Sequence, residues 1–134
     1  MNLLAPLYRF ADRVRFRRHG NVGRRGEDIA HRCLRKAGFT IAARNWRPPQ
    51  GGGEIDLIAW DRGELVFIEV KSRVSGELNS PLRDIDEEKK KALRRAARDY
   101  IRRAGAEAAV TRFDVVSVVG EQPEHFRNAF PFTP

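Results

Sequence analysis

Hydrophobic residues recur along the chain with two periods, and the change between them divides it into helices and strands. From Glu27 to Ala37 the apolar residues return every three or four positions, which is typical of a helix with one buried face. The same spacing predicts a longer helix from Asp86 to Ala104. Gly38 and Gly105 follow directly, and glycine is the residue that most often ends a helix. Two amphipathic helices are therefore expected.

Four other segments have the apolar, β-branched and aromatic character of strands. A tight turn from Asp61 to Glu64 is expected to join two of them into a hairpin. The tail from Gly120 to Pro134 has a mixed pattern, and its phenylalanines are expected to pack back on the domain. The order helix, three strands, helix, strand predicts a single α/β domain with a mixed central sheet flanked by helices. The predicted strands are Phe39 to Trp46, Glu54 to Trp60, Leu65 to Val70 and Phe113 to Val119.

Positive charge is concentrated at the N-terminus. The chain of 134 residues has a formal net charge of +8, and residues 1–25 hold seven arginines against one aspartate. We therefore divide it into a basic N-terminal arm, residues 1–22, and a domain of residues 23–134 that is large enough for one core. Net positive charge favours a polyanionic partner, because contacts to phosphates release counterions. A solvated basic tail has the same composition, so the arm alone does not identify the partner.

The sequence argues against several classes of protein. Cys33 is the only cysteine, which excludes an intrachain disulfide, and the histidines do not flank it at a zinc-ligand spacing. No apolar run is long enough to span a bilayer. The first residues also lack the features of a signal peptide. We expect a cytoplasmic protein without a membrane partner.

Three charged residues interrupt strands that are otherwise apolar. Asp56 lies in the second predicted strand, while Glu69 and Lys71 lie at the end of the third and share one face of it. If Arg62 and Gly63 are the central turn residues, Asp56 lies directly opposite Glu69. Directly opposed Cβ atoms are about 4.5–5.5 Å apart. Two carboxylates at that distance repel, unless a raised pKa, a cationic side chain or a divalent cation relieves them.

This cluster has two interpretations. As a metal site, it offers the carboxylate oxygens that Mg²⁺ prefers, with Lys71 holding and polarising a water molecule. As a structural ion-pair cluster, it has one lysine for two carboxylates, which leaves it short of positive charge. The metal site is therefore the better interpretation of these three residues.

Two helical residues are placed to join the cluster. Glu27 lies at the edge of the buried stripe of the first helix, from which it can point toward the sheet; the alternative is a first-turn glutamate that favours the helix dipole. Lys89, and nearly as well Lys90, lies on the apolar side of the second helix, within reach of a phosphate near the sheet. The alternative for either lysine is a side chain that extends along the surface into solvent.

Five short blocks carry a resemblance to a known family. They are residues 23–30, Asn45-Trp46-Arg47, residues 53–58, Glu69-Val70-Lys71 and residues 112–116. In this order they resemble the bacterial YraN-like family, which is similar to the archaeal Holliday junction resolvases and belongs to the PD-(D/E)xK, restriction-endonuclease-like superfamily. The resemblance covers about residues 20–119. Ile55 stands where the superfamily pattern has proline.

The resemblance implies a restriction-endonuclease-like fold and a metal-dependent nuclease. Its substrate would be the phosphodiester bonds of DNA, including branched, Holliday-junction-like DNA. Cutting both strands of a symmetric junction needs two sites, which a homodimer would supply. The implied cofactor is Mg²⁺ or Mn²⁺.

The resemblance also implies roles for individual residues. The residues implied to be catalytic are Glu27, Asp56, Glu69 and Lys71. The implied metal ligands are Asp56, Glu69, Glu27 and the carbonyl of Val70. The basic residues expected to contact nucleic acid are Arg24, Arg25, Lys89, Arg94 and Arg98.

Three other functions are compatible with parts of the sequence. A non-catalytic nucleic-acid-binding protein could keep the fold without the chemistry, although the intact acidic set with its lysine argues against it. A basic scaffold docking through its arm would lose its function on truncation of residues 1–22 and not in Asp56→Ala. A phosphatase is disfavoured, because Gly51 to Gly53 precede a strand, whereas a phosphate-cradling glycine loop precedes a helix.

Overall fold

Residues 21–73 and 85–133 of the chain are described by a computed structural model. The elements follow the order helix, three strands, helix, two strands. The helices are α1 (Asn21–Lys36) and α2 (Glu87–Ala104). The strands are β1 (Thr40–Trp46), β2 (Ile55–Asp61), β3 (Glu64–Arg73), β4 (Thr111–Val119) and β5 (Gln122–Phe130). The predicted arm, except for its last two residues, lies outside the described part of the chain.

The five strands form one mixed sheet in the order β1-β2-β3-β4-β5. All neighbours are antiparallel except β3 and β4, which run parallel. Parallel neighbours need a crossover connection, and α2 lies in the segment that connects these two strands. The predicted fold class, a single α/β domain with a mixed sheet between helices, is confirmed.

Each face of the sheet has its own hydrophobic core. On one face, Ile29, Ala30 and Leu34 of α1 pack with alternate residues of β2, β3 and β4. On the other face, residues of α2 such as Leu93 and Tyr100 pack with the remaining alternate residues. Because side chains alternate along a strand, this division determines which helix each charged residue of β3 faces.

The β2–β3 hairpin has the register expected from the sequence. Its residue pairs run from Leu57 opposite Ile68 to Asp61 opposite Glu64. The turn residues Arg62 and Gly63 have φ angles of 52° and 85°, which is the conformation of the two-residue turn that matches strand twist. Asp56 and Glu69 are the next positions in this register, so the predicted juxtaposition is confirmed.

Two parts of the chain differ from the sequence-based expectation. The tail is a regular edge strand, β5, which was not predicted because Pro123 and several exposed polar residues remove the alternation of a half-buried strand. The expected packing of its phenylalanines is confirmed: Phe130 is buried, and Phe126 and Phe132 pack against the same core. Helix α1 begins six residues before Glu27, through two glycines that disfavour helix.

Candidate active site

Asp56 and Glu69 lie side by side on the face of the sheet that α2 covers. Leu65 and Phe67 of β3 belong to the core on that face, and Glu69 and Lys71 continue the same alternation. The Glu69 carboxylate is only 4% exposed. The Val70 N–H donates a hydrogen bond of 2.8 Å to Asp56 Oδ2, which fixes the Asp56 carboxylate against β3.

Two lysines bring their charge to Glu69. Lys89 Nζ lies 3.2 Å from Glu69 Oε2, and Lys71 Nζ lies 3.8 Å from the same oxygen. Burial opposes the charge of Lys89, but Glu69 outweighs it and raises the pKa of that ammonium group. Lys89 is therefore cationic at neutral pH. The contact with Glu69 places Lys89 beside the sheet, and its expected contact with a phosphate stays a prediction.

Asp56 is compensated less than Glu69. Among the described residues, no lysine or arginine lies within 4.0 Å of its carboxylate. Burial, the negative charge of Glu69 and a hydrogen bond shared with Glu69 raise the pKa of Asp56 well above its ordinary value, although the Val70 N–H acts in the opposite direction. The positive charge in this cluster is therefore placed unevenly, on one of its two carboxylates.

Glu27 approaches the pair from α1 and is held by β1. It is 6% exposed. Asn45 Nδ2 donates to Glu27 Oε2 at 2.9 Å, and Arg44 Nη2 lies 3.6 Å from Glu27 Oε1. The charge of Glu27 contributes last to the raised pKa of Asp56, after burial and Glu69. Three carboxylates thus influence one another at this end of the sheet.

Asn45 is a site residue for which no role was predicted from the sequence. It is 1% exposed and has a φ of 49°, a left-handed conformation that asparagine tolerates better than most residues. This backbone geometry turns its amide toward Glu27. The sequence signal for a role of Asn45 was its position in the Asn45-Trp46-Arg47 block, because a polar residue inside an apolar strand needs an explanation.

The donor set at Asp56 and Glu69 matches a hard divalent cation. Carboxylate oxygens suit Mg²⁺ and Mn²⁺, and Mg²⁺ commonly keeps several waters. In the described part of the chain, no three His, Cys, Asp or Glu side chains are grouped so that they could hold a metal by themselves. A cation here would therefore be bound by two carboxylates together with backbone or water oxygens. The direct coordination of Glu27 and of the Val70 carbonyl stays a prediction.

The residues expected to contact nucleic acid do not form one surface. Arg24 and Arg25 lie on α1, where Arg25 forms an ion pair with Glu121. Arg98 is exposed on α2. Arg94 is only 4% exposed, and its Nε and Nη2 both donate to the Pro131 carbonyl at 3.2 Å.

A second polar cluster lies near the start of β4. Arg112 donates through Nε and Nη2 to the buried carboxylate of Asp114, at 2.9 and 3.0 Å. His125 Nε2 lies 2.7 Å from Asp114 Oδ2, and Arg112 also reaches Asp61 at 3.1 Å. Its carboxylates are paired with cations, so the cluster ties β2, β4 and β5 together and offers no uncompensated charge. The Arg112–Val116 block in the sequence therefore marks a structural network.

No helix in the described ranges, 21–73 and 85–133, is long and apolar enough to cross a membrane.

Comparison with known proteins relates the chain to one family. Residues 26–118 match the family described as "Uncharacterised protein family UPF0102". A UPF0102 protein of Solibacter usitatus is 50% identical over 132 residues, covering 96% of this chain and 100% of that protein. A UPF0102 protein of Koribacter versatilis is 45% identical over 106 residues, 79% of this chain and 73% of its own length. One of Desulfosudis oleivorans is 46% identical over 110 residues, 81% of this chain and 88% of its own.

Proposed function

The chain belongs to the uncharacterised protein family UPF0102, and we propose that it is a divalent-metal-dependent nuclease that hydrolyses phosphodiester bonds of DNA. The observation that carries the proposal is the uneven compensation of Asp56 and Glu69. Two lysines contact Glu69, while Asp56 has a raised pKa. A divalent cation between the two carboxylates would relieve this repulsion, and nuclease chemistry makes use of such a cation.

Each residue of the cluster has a part in the proposed reaction. When bound, the cation supplies Lewis-acid polarisation of the phosphate and lowers the pKa of a coordinated water. Asp56 and Glu69 hold it, and the Val70 N–H keeps the Asp56 carboxylate oriented. Lys71 and Lys89 place positive charge where the scissile phosphate becomes more negative, which stabilises the transition state. Asn45 orients Glu27 at the edge of the site.

A second candidate is a nucleic-acid-binding protein without catalysis. One observation favours it: Asp56, Glu69, Lys71 and Lys89 together carry two negative and two positive formal charges, so the cluster is neutral without a metal. The raised pKa of Asp56 favours the nuclease, because neutrality of the whole cluster does not relieve that carboxylate.

Cleavage of end-labelled DNA tests the proposal. Linear duplex, single-stranded and four-way-junction substrates are incubated with Mg²⁺, with Mn²⁺ and with EDTA. We expect cutting that requires a metal and that falls by about 100-fold or more in Asp56→Asn and Glu69→Gln, the scale of a lost electrostatic contact to the transition state. Lys71→Met removes a positive charge and leaves both carboxylates in place. It should therefore lower cleavage while metal binding persists.

Glu124→Gln is the matched control. It makes the same carboxylate-to-amide change as Glu69→Gln, on the exposed part of β5. It should cut like the wild type. Binding of all three substrates without cutting in any metal would support the non-catalytic candidate. Cutting that continues in EDTA, or in Asp56→Asn, would contradict the proposed metal chemistry.

A further inference from the structure

The outer face of α2 carries a row of cations. Lys91, Arg95, Arg98 and Arg102 are exposed, and their spacing places them on one side of the helix. We call these four residues the α2 stripe. From first to last it extends over about 16 Å of helix axis.

Few acidic groups neutralise the α2 stripe. From Lys89 to Arg103 the helix has one acidic residue, Asp99. That carboxylate is 4% exposed and accepts hydrogen bonds from Arg102 at 2.5 Å and Arg103 at 2.7 Å. At the other end, Lys91 Nζ lies 3.7 Å from Glu88. Arg95 and Arg98, at the centre, have no acidic residue within one helical turn except the buried Asp99.

A cavity lies against the centre of the stripe. It has a volume of about 290 Å³, and Lys91, Arg94, Arg95 and Arg98 line it. Every lining side chain in the described part of the chain is cationic. Arg94, which is 4% exposed, donates through Nε and Nη2 to the Pro131 carbonyl, while its Nη1 has no hydrogen-bond partner among the described residues. A buried donor without an acceptor is costly, and an anion seated among these four cations would lower that cost.

We propose that the α2 stripe and its cavity bind the phosphate backbone of the nucleic acid and lead it to the active site. This rests on the proposed function for the choice of nucleic acid as the anion. Guanidinium groups match the geometry of phosphate oxygens. Lys89, in the first turn of α2, lies 3.2 Å from Glu69, and Lys91, the first residue of the stripe, follows two positions later on the outer face of the same helix. An anionic membrane fits less well, because a helix that binds a membrane surface also presents an apolar face to it, and the apolar face of α2 is in the core.

Binding measured without a metal separates this inference from catalysis. Fluorescence anisotropy with labelled single-stranded and duplex oligonucleotides in EDTA compares the wild type with the double variant Arg95→Glu/Arg98→Glu. We expect about a tenfold or greater loss of affinity, and a plot of log K against log salt that is shallower by about 2, since each lost phosphate contact removes about 0.9 from the slope.

Three controls make the result specific. Arg32→Glu/Arg35→Glu makes the same change in charge on exposed positions of α1, across the sheet, and should bind like the wild type. Glu124→Gln should also retain binding, because Glu124 lies on the exposed part of β5, outside the stripe. Vesicles with anionic lipid headgroups should not bind the wild type in preference to the oligonucleotides.

The outcomes also distinguish the two proposals. Equal loss of affinity in both double variants, or none in Arg95→Glu/Arg98→Glu, would overturn the α2 stripe even if the wild type cuts DNA. Preferential binding to vesicles would overturn it as well. Loss of binding confined to Arg95→Glu/Arg98→Glu, in a protein that cuts no substrate, would leave the stripe in place and refute the nuclease.

Discussion

Asp56 and Glu69 are chemically similar residues in different surroundings. Glu69 is almost fully buried and has two ammonium groups within 3.8 Å. Asp56 is half-buried and is held by one peptide N–H. Burial and the neighbouring carboxylate raise its pKa, so ionised Asp56 lowers the stability of the metal-free protein. A cation bound at the site would explain why the protein has a destabilising carboxylate at this position.

Asp56→Asn should stabilise the protein in EDTA. The amide removes a repelled charge, and its oxygen can still accept from the Val70 N–H. Because folding raises the pKa of Asp56, the ionised carboxylate destabilises the folded protein at any pH above the ordinary pKa of the group. Asp56→Asn should therefore be more stable than the wild type at neutral pH, by an amount on the order of 1 kcal/mol. This gain should vanish as the pH falls to the ordinary carboxyl range. Thermal unfolding followed by circular dichroism at several pH values measures it.

Addition of Mg²⁺ should reverse the order of these two proteins. A ligand that binds only the folded state stabilises it, by about 2.7 kcal/mol at a hundred times its dissociation constant. The wild type should therefore unfold at a higher temperature with the metal, and Asp56→Asn should not respond. A lower melting temperature for Asp56→Asn in EDTA would mean that the carboxylate is structural.

Among the elements, α1 depends on a close approach to β3. A Cβ added to Gly26 would lie 1.9 Å from Ser72 Oγ and 3.3 Å from Ser72 Cβ. The absence of that side chain lets α1 rest on the end of β3, one residue from Glu27. Gly26 thus places Glu27 near the site even though glycine is a poor helix former.

Gly26→Ala should loosen this contact. The Ser72 hydroxyl can rotate away, but the approach to its Cβ remains tight, so we expect a loss of about 1–2 kcal/mol in the free energy of unfolding. Ser72→Ala in the same chain should recover part of the loss, because it removes the nearest atom. Urea denaturation of the two single variants and the double variant measures the coupling. Additive effects would show that Gly26 and Ser72 do not meet.

The edge strand β5 is held by the Asp114 network. Burial opposes ionisation of Asp114, but hydrogen bonds from His125, Arg112 and the Asn128 N–H hold the pKa of this carboxyl below its ordinary value. A depressed pKa contributes stability that is present above the ordinary value and is lost as the pH falls toward the folded-state value. The network therefore stabilises β5 at neutral pH and weakens in acid.

Asp114→Asn should destabilise the protein by about 1–3 kcal/mol at neutral pH, because it weakens the charge-assisted hydrogen bonds from Arg112, which keeps its contacts with Asp61 and Glu64. The difference from the wild type should shrink as the pH falls from the ordinary carboxyl pKa toward the lower folded-state value, where the folded wild type also loses the charge. Denaturation midpoints measured across this range of pH test the claim. A difference that does not depend on pH would point to packing as the cause.

The sequence predicted the elements that repeat a regular pattern. Both helices, the hairpin register and strands β1 to β4 follow from apolar periodicity and from Arg62-Gly63 at the turn. The edge strand β5 was not predicted, because much of it is exposed to solvent and its apolar and polar residues need not alternate. Periodicity also placed Asp56, Glu69 and Lys71 together. It could not place Asn45 on Glu27, since that contact joins β1 to α1 through a left-handed backbone.

For the whole molecule, charge and chemistry are distributed over the two faces of the sheet. The α2 face holds Glu69, Lys71 and Lys89 and continues into the basic outer surface of that helix. The N-terminal arm contributes further arginines to the sequence. In this account the arm adds affinity for a polyanion, and the domain performs the reaction.

A chain that begins at residue 21 should keep its activity. Removing residues 1–20 removes five arginines and one aspartate, and the described helices and strands all follow this point. We expect metal-dependent cleavage to persist, with weaker binding at low salt, since fewer phosphate contacts remain. Cleavage rates at saturating and limiting DNA separate the two effects. Complete loss of function in the truncated chain, with Asp56→Asn still functional in the full-length chain, would instead support a scaffold that docks through its arm.

Binding of Mn²⁺, measured by titration calorimetry at neutral pH, tests the central claim most directly. Mn²⁺ has the same preference for oxygen ligands as Mg²⁺. We predict that the wild type and Glu124→Gln bind it, and that Asp56→Asn and Glu69→Gln bind it at least about tenfold more weakly. A wild type that binds no Mn²⁺, or an Asp56→Asn that binds it as well as the wild type does, would contradict the assignment of this acidic pair as a metal site.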